Sequence, residues 1–272
     1  MYLSLTSWSF PALTLEETAA ISRIIGIGAL DISTKGRPGL DKAQLLADPR
    51  AVAERVAALQ VKVPNFYHHF GDNLADRNLA LPGTIDANQR DLEQVLTFAD
   101  AAGIATIFFL PGIINPGQSR SQATAAAAES IRALLDVAKD FSAEICIEPI
   151  IRSFAESPAV VEELVDCTGI RLALDYSHFV CLGYTQEQID PLCRHAAHIH
   201  LRQARMGKLQ ERFARGSINF PALFGTLRDA SYDGALAIEY VHQDFLNASS
   251  DDVITETVTM RDCFNDWNAG GA

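Results

Sequence analysis

The sequence predicts an α/β fold: one closed (β/α)8 TIM barrel spanning residues 1–272 as a single domain. Three observations carry this. Short apolar runs alternate with longer amphipathic stretches, and eight such pairs in 272 residues match the size and order of that barrel. The last four runs each end in a carboxylate or an imidazole, at Glu148, Asp175, His200 and Glu239. No Gly-x-Gly-x-x-Gly turn follows the first run, which argues against a doubly wound sheet.

The expected strands are Leu3–Trp8, Ile24–Leu30, Val61–Tyr67, Ile104–Leu110, Glu144–Pro149, Arg171–Asp175, Ala197–Leu201 and Leu236–Val241. Helices are expected between them. Thr14 with Glu17 has the pattern of a capping box. Asp48-Pro49 and Ser157-Pro158 each pair a capping side chain with a proline suited to the first helical position. A helix over Ile85–Ala102 stops at Gly103, which tolerates the left-handed turn that closes a helix. Further helices are expected over Ser121–Phe141, Gln186–His195, Pro221–Ala230 and Asp251–Trp267.

Composition bounds the function. Hydrophobic residues at 48% and charged ones at 21% suit a globular enzyme, and no apolar run approaches the ~18 residues of a membrane helix. The net charge of −12 opposes polyanions, and no basic block offsets it, so neither nucleic acid nor membrane is an expected partner. The start lacks a basic segment of the secretory type. Five cysteines, odd in number and without metal-finger spacing, read as reduced thiols of a cytoplasmic protein.

Side-chain parity gives the site. Strand residues alternate between faces, so placing Glu148, Asp175, His200 and Glu239 inward also turns Cys146, Ala173, His198 and Ala237 inward. The large aliphatics Ile145, Ile147, Leu172, Leu174, Ile199, Leu201, Leu236 and Ile238 then face out, under the helices. Four polar groups at the C-terminal ends of their strands sit where this fold keeps its chemistry. Unpaired, each would cost several kcal/mol to bury, so a shared divalent cation is the simplest partner. Three oxygens and one imidazole suit Mn²⁺ first, with Mg²⁺, Co²⁺ or Zn²⁺ as alternatives. Such an ion polarises a carbonyl and acidifies the neighbouring C–H. Glu148 and Glu239 are then the acid/base pair, one removing a proton and the other returning it.

Other readings stay open. Glu148 has Arg152 and Arg171 as ion-pair candidates, Asp175 fits a helix N-cap, and His200 fits a satisfied core histidine. His68 or His69 is a candidate for substrate binding at the mouth, Trp8 for an apolar wall, and Arg202, Arg205 and Lys208 for a hydroxyl, carboxylate or phosphate.

The motifs Ile147-Glu148-Pro149, Asp175-x-x-His178, His198-Ile199-His200 and Ile238-Glu239, with the segment from Gly216 to Gly234, resemble the xylose isomerase-like TIM barrels. Within that superfamily the resemblance is to ketose 3-epimerases, hydroxypyruvate isomerases and inosose dehydratases. It implies that Glu148, Asp175, His200 and Glu239 bind the metal, that the two glutamates double as acid and base, and that His178 contacts a substrate oxygen. The family's epimerases carry a substrate-binding arginine six residues after the metal histidine. Met206 stands there in this chain, with Arg202 and Arg205 nearby.

The expected activity is a sugar or hydroxy-keto isomerase or epimerase, with homodimers or homotetramers implied by the resemblance. A dehydratase or β-eliminating lyase is the alternative, since it shares the first proton abstraction. An abasic-site endonuclease like endonuclease IV is remote, because that class needs more histidines than the seven present.

Overall fold

A computed structural model describes residues 1–242 and 252–270. Eight parallel strands close into a barrel in chain order: β1 (Tyr2–Thr6), β2 (Leu30–Ser33), β3 (Asn65–Tyr67), β4 (Thr106–Phe109), β5 (Glu144–Ile147), β6 (Arg171–Asp175), β7 (Ala196–Leu201) and β8 (Ala235–Ile238). Closure runs through β1 and β8, with Tyr2 opposite Ala235 and Leu5 opposite Ile238. Helices surround it, all but α2 and α7 expected from the sequence: α1 (Leu15–Ile24), α2 (Lys42–Ala47), α3 (Pro49–Ala57), α4 (Ile85–Ala102), α5 (Arg120–Ala138), α6 (Pro158–Thr168), α7 (Tyr176–Cys181), α8 (Gln186–Ile189), α9 (Phe220–Asp229) and α10 (Val253–Gly270). Residue Asp251, the expected start of the last helix, lies outside the described residues.

The caps form as their chemistry dictates. Thr14 accepts from the Glu17 N–H while Glu17 accepts from the Thr14 N–H. Asp48 and Ser157 cap α3 and α6 ahead of their prolines, and Gly103 closes α4 at φ +69°. Among the described residues no helix is long and apolar enough to cross a membrane.

Three expectations shift most. The second strand begins at Leu30 rather than Ile24. Ile24 ends α1 and is 82% exposed, and Gly26 at φ +77° reverses the chain. The Ser22 hydroxyl donates to the carbonyl of Ile27, which ties that turn to the helix. The third strand shortens to Asn65–Tyr67, because Pro64 has no N–H to give the ladder. The helix expected over Gln186–His195 divides: α8 ends at Ile189 and a 3-10 segment from Asp190 to His195 follows, as Pro191 removes a helical donor.

The barrel wall sorts side chains as parity requires. All eight outward aliphatics from β5 to β8 belong to the core shared with the helices. Inside, Tyr67, Phe108, Cys146 and Ala173 form a separate cluster against Trp8. Beneath it lies a polar floor. Asp31 accepts hydrogen bonds from the Ser4 hydroxyl and, at 3.1 Å, from Asn65 Nδ2, and His198 Nε2 lies 2.6 Å from the same carboxylate. Thr106 then donates to Asn65 Oδ1 at 2.8 Å. Above these two layers the barrel opens on the ends of β5 to β8.

Candidate metal centre

Each of the four converging groups is set by a strand end. The Glu148 N–H still donates to the Phe109 carbonyl at 3.0 Å, so its side chain keeps the inward register of β5 before Pro149 turns the chain away. Asp175 is the last residue of β6 and also caps α7: its Oδ1 accepts from the Ser177 N–H at 2.8 Å. That leaves Oδ2 for the cluster. His200 lies in β7 opposite Asp175. Glu239 directly follows β8, its N–H donating to the Leu201 carbonyl at 3.0 Å.

One donor atom from each of Glu148, Asp175, His200 and Glu239 falls within 4.8 Å of all the others, and all four residues are buried. His200 Nδ1 is 2.6 Å from Glu148 Oε1 and 3.5 Å from Glu239 Oε2. Arg202 bridges the far side, with Nη2 2.6 Å from Asp175 Oδ2 and 3.4 Å from Glu239 Oε2. The Trp8 indole N–H donates to Glu239 Oε1 at 2.6 Å. His178 Nδ1 accepts from the Ile151 N–H at 3.2 Å, which leaves its Nε2 edge facing Asp175 at 3.6 Å.

The charges fit a cation. Burial alone would lower the His200 pKa, yet Glu148 and Glu239 outweigh it and push the imidazole up to about 10. The cluster therefore draws a proton onto His200 when no ion is present. Burial raises the Glu148 carboxyl, but His200 overrides that and holds it below its ordinary value. Glu239 goes the other way: burial raises it more than Arg202 and His200 can offset. Its Oε2 has no hydrogen-bond partner among the described residues. Three buried carboxylates competing for one imidazole proton and one guanidinium match a divalent site that takes that proton's place.

Glu148 and Glu239 of the cluster line a cavity of about 560 Å³, within the range of small-molecule sites. Trp8, His178 and Arg202 line it, as expected. Two expected residues do not. His68 is fully buried and packs between Phe66 and Phe70, with ring centroids 6.3 and 4.7 Å away. Tyr67 takes the inward position of β3, so its neighbour must face out. Arg205 turns away because Glu211 captures it, Nε to Oε2 at 2.8 Å, and Lys208 joins the same carboxylate at 3.2 Å. Burial pushes Glu211 up, but these two cations and the Arg212 N–H bring it down to about 2. Met206, where the related epimerases carry arginine, is 74% exposed. Arg202 brings a guanidinium to the cavity lining.

The lining residues that the sequence does not single out for the site include Lys35, Tyr67 and Arg152. Arg152 holds φ +67°, a left-handed conformation that costs a non-glycine residue, with its N–H donating to Glu156 Oε1 at 2.6 Å. Lys35 lies two residues past the true end of β2, a position hidden by the early placement of that strand.

The chain belongs to the xylose isomerase-like TIM barrel family, whose family model matches residues 20–261. Among proteins with an assigned activity it is similar to a 2-oxo-tetronate isomerase of Pectobacterium atrosepticum, at 24% identity over 176 residues, 59% of this chain. The match spans just under two thirds of that relative, 64% of its length. Among solved structures, an L-ribulose 3-epimerase superposes with a TM-score of 0.73 at 17% identity, over 98% of this chain and 94% of that one. The IOLI protein with a binding zinc atom gives 0.71 at 13% identity, over 96% and 97%.

Proposed function

We propose that this protein is a divalent-metal-dependent isomerase or epimerase of a small hydroxy-carbonyl compound. The observation that carries the reading is the donor set: four ligand atoms, from the ends of four consecutive strands, within 4.8 Å of one another, two of whose residues, Glu148 and Glu239, line a substrate-sized cavity. The relative named 2-oxo-tetronate isomerase supports a short sugar acid as substrate class. The zinc bound by IOLI supports a metal in this fold, and the oxygen-rich donor set favours Mn²⁺ among the candidates.

Glu148, Asp175, His200 and Glu239 would hold the ion. When bound, it supplies Lewis acidity that polarises a carbonyl and makes the adjacent C–H acidic. The chain does the rest. Glu148 and Glu239 lie on either side of His200 and serve as proton acceptor and donor toward the substrate carbon. Trp8 fixes the orientation of Glu239 through its indole N–H. The Nε2 edge of His178 is free of backbone and reaches a substrate hydroxyl from the side of Asp175. Tyr67 and Trp8, packed edge to face at 5.9 Å, make the apolar wall that keeps water from the reacting carbon.

The test uses Mn²⁺-loaded protein with 2-oxo-tetronate or a short ketose in heavy water. Deuterium uptake at the carbon next to the carbonyl, with recovery of an isomer or epimer, is expected. Release of an unsaturated product instead makes the enzyme a lyase. Glu148→Gln and Glu239→Gln are expected to lose both turnover and bound metal. If either keeps both, the role assigned to that glutamate is wrong.

A further inference from the structure

Of the cations lining the cavity, most already have partners. Arg202 is bound to Asp175 and Glu239, and Arg152 is engaged as well. Lys35 differs. Its Nζ lies 4.6 Å from the centroid of the Tyr67 ring, and it makes no ion pair among the described residues. Tyr67 stacks on Phe108 at 4.5 Å and meets Trp8 edge to face, and Trp8 holds Glu239. The ammonium thus sits one aromatic layer from the donor cluster. Its surroundings lower its pKa, burial first, with Glu148 and Glu239 opposing.

Charge counting gives this position its meaning. The three carboxylates of the cluster cancel against a divalent ion and the Arg202 guanidinium, with His200 neutral as a ligand. The Lys35 charge is left over. The apolar groups Pro38, Leu74 and Leu209 that share the cavity offer it nothing. A neutral ketose would leave it so; a monoanion would match it.

We propose that Lys35 is the specificity-determining residue of this site and docks a carboxylate on the substrate. The enzyme then takes a short sugar acid in preference to a neutral ketose of equal length. This rests on the isomerase reading above, and it assigns the residue that selects among substrates at that site. Tyr67 positions the ammonium by holding its underside, and Arg202 stays with the carboxylates of the cluster.

The experiment compares wild type with Lys35→Met, both loaded with Mn²⁺ and checked for equal metal content. Each receives 2-oxo-tetronate and, separately, erythrulose, which has four carbons and no carboxylate. Lys35→Met is expected to raise KM for the acid ~10- to 100-fold, the value of one charge-assisted contact, and to change KM for erythrulose by a much smaller factor. A second measurement needs no turnover: calorimetric titration with threonate, a four-carbon hydroxy acid, and with the neutral polyol threitol. Threonate should bind wild type, weaken by the same factor in Lys35→Met, and weaken with added salt. Equal losses for acid and neutral ligand, or no loss for either, overturn the proposal, as does wild type that ignores threonate. Absence of turnover on both substrates with threonate still held by Lys35 defeats the isomerase reading instead.

Discussion

His68 offers a stability test independent of catalysis. Its imidazole is fully buried, and neither ring nitrogen has a hydrogen-bond partner among the described residues. Burial, aided by Lys42, His69 and Arg77, lowers its pKa from 6.5 to about 3. In the unfolded chain the ring titrates near its ordinary value. Between those two values the unfolded state holds a proton that the folded state refuses, so stability falls as pH drops through 6.5. The loss approaches ~1.4 kcal/mol per pH unit and amounts to about 2 kcal/mol between neutrality and pH 5.

His68→Leu removes the titrating group and keeps an apolar side chain among Phe66 and Phe70. Denaturant unfolding of both proteins at several pH values, with chelator present throughout, isolates the difference. The variant is expected to match or exceed wild type at pH 7 and to gain about 2 kcal/mol on it by pH 5. The carboxylates of the cluster also lose stability in acid, but they do so equally in both chains. Parallel curves for the two proteins would refute the burial of an uncharged His68.

Other outcomes follow from the site and its frame. Trp8→Phe deletes the 2.6 Å donation to Glu239 while keeping a ring in the wall; kcat should fall ~10-fold with metal content retained, measured by steady-state kinetics and metal analysis. Arg202→Met leaves Asp175 and Glu239 without their guanidinium, and in chelator it should cost about 3–5 kcal/mol in denaturant unfolding, with Mn²⁺ recovering more for the variant than for wild type. Gly112→Ala forces a side chain onto φ +107° and places Cβ 2.7 Å from Asn78 Oδ1 and 2.9 Å from the Ala80 nitrogen. A loss of about 1–3 kcal/mol and a Tm lower by several degrees should be seen by calorimetry.

The legible parts of this molecule were those governed by local alternation. β6 spans Arg171–Asp175 as expected because polar ends bracket a three-residue apolar run. The same parity, carried through β5, β7 and β8, put the four ligand candidates on one face before any fold was known. Where a run is apolar without alternation, its pattern does not separate a strand from a helix end. Ile24 to Leu30 looked like a strand, but a glycine with positive φ divides it, and helix end, turn and strand share the stretch. That error concealed Lys35. His68 was open to correction from sequence: once Tyr67 faces in, the next residue faces out. The fate of Arg205 was not, because Glu211 reaches it only after the loop beyond β7 folds back on itself.

The contact between Trp8 and Glu239 joins residues 231 positions apart, across the seam where β1 meets β8. During synthesis the chain must emerge through β8 before that seam can zip. An ion held by the full donor set would thereby be captured only once β8 is in place, and a fragment lacking that strand would hold three of the four arms. Tight metal retention would serve as a chemical signature that the ring has been completed.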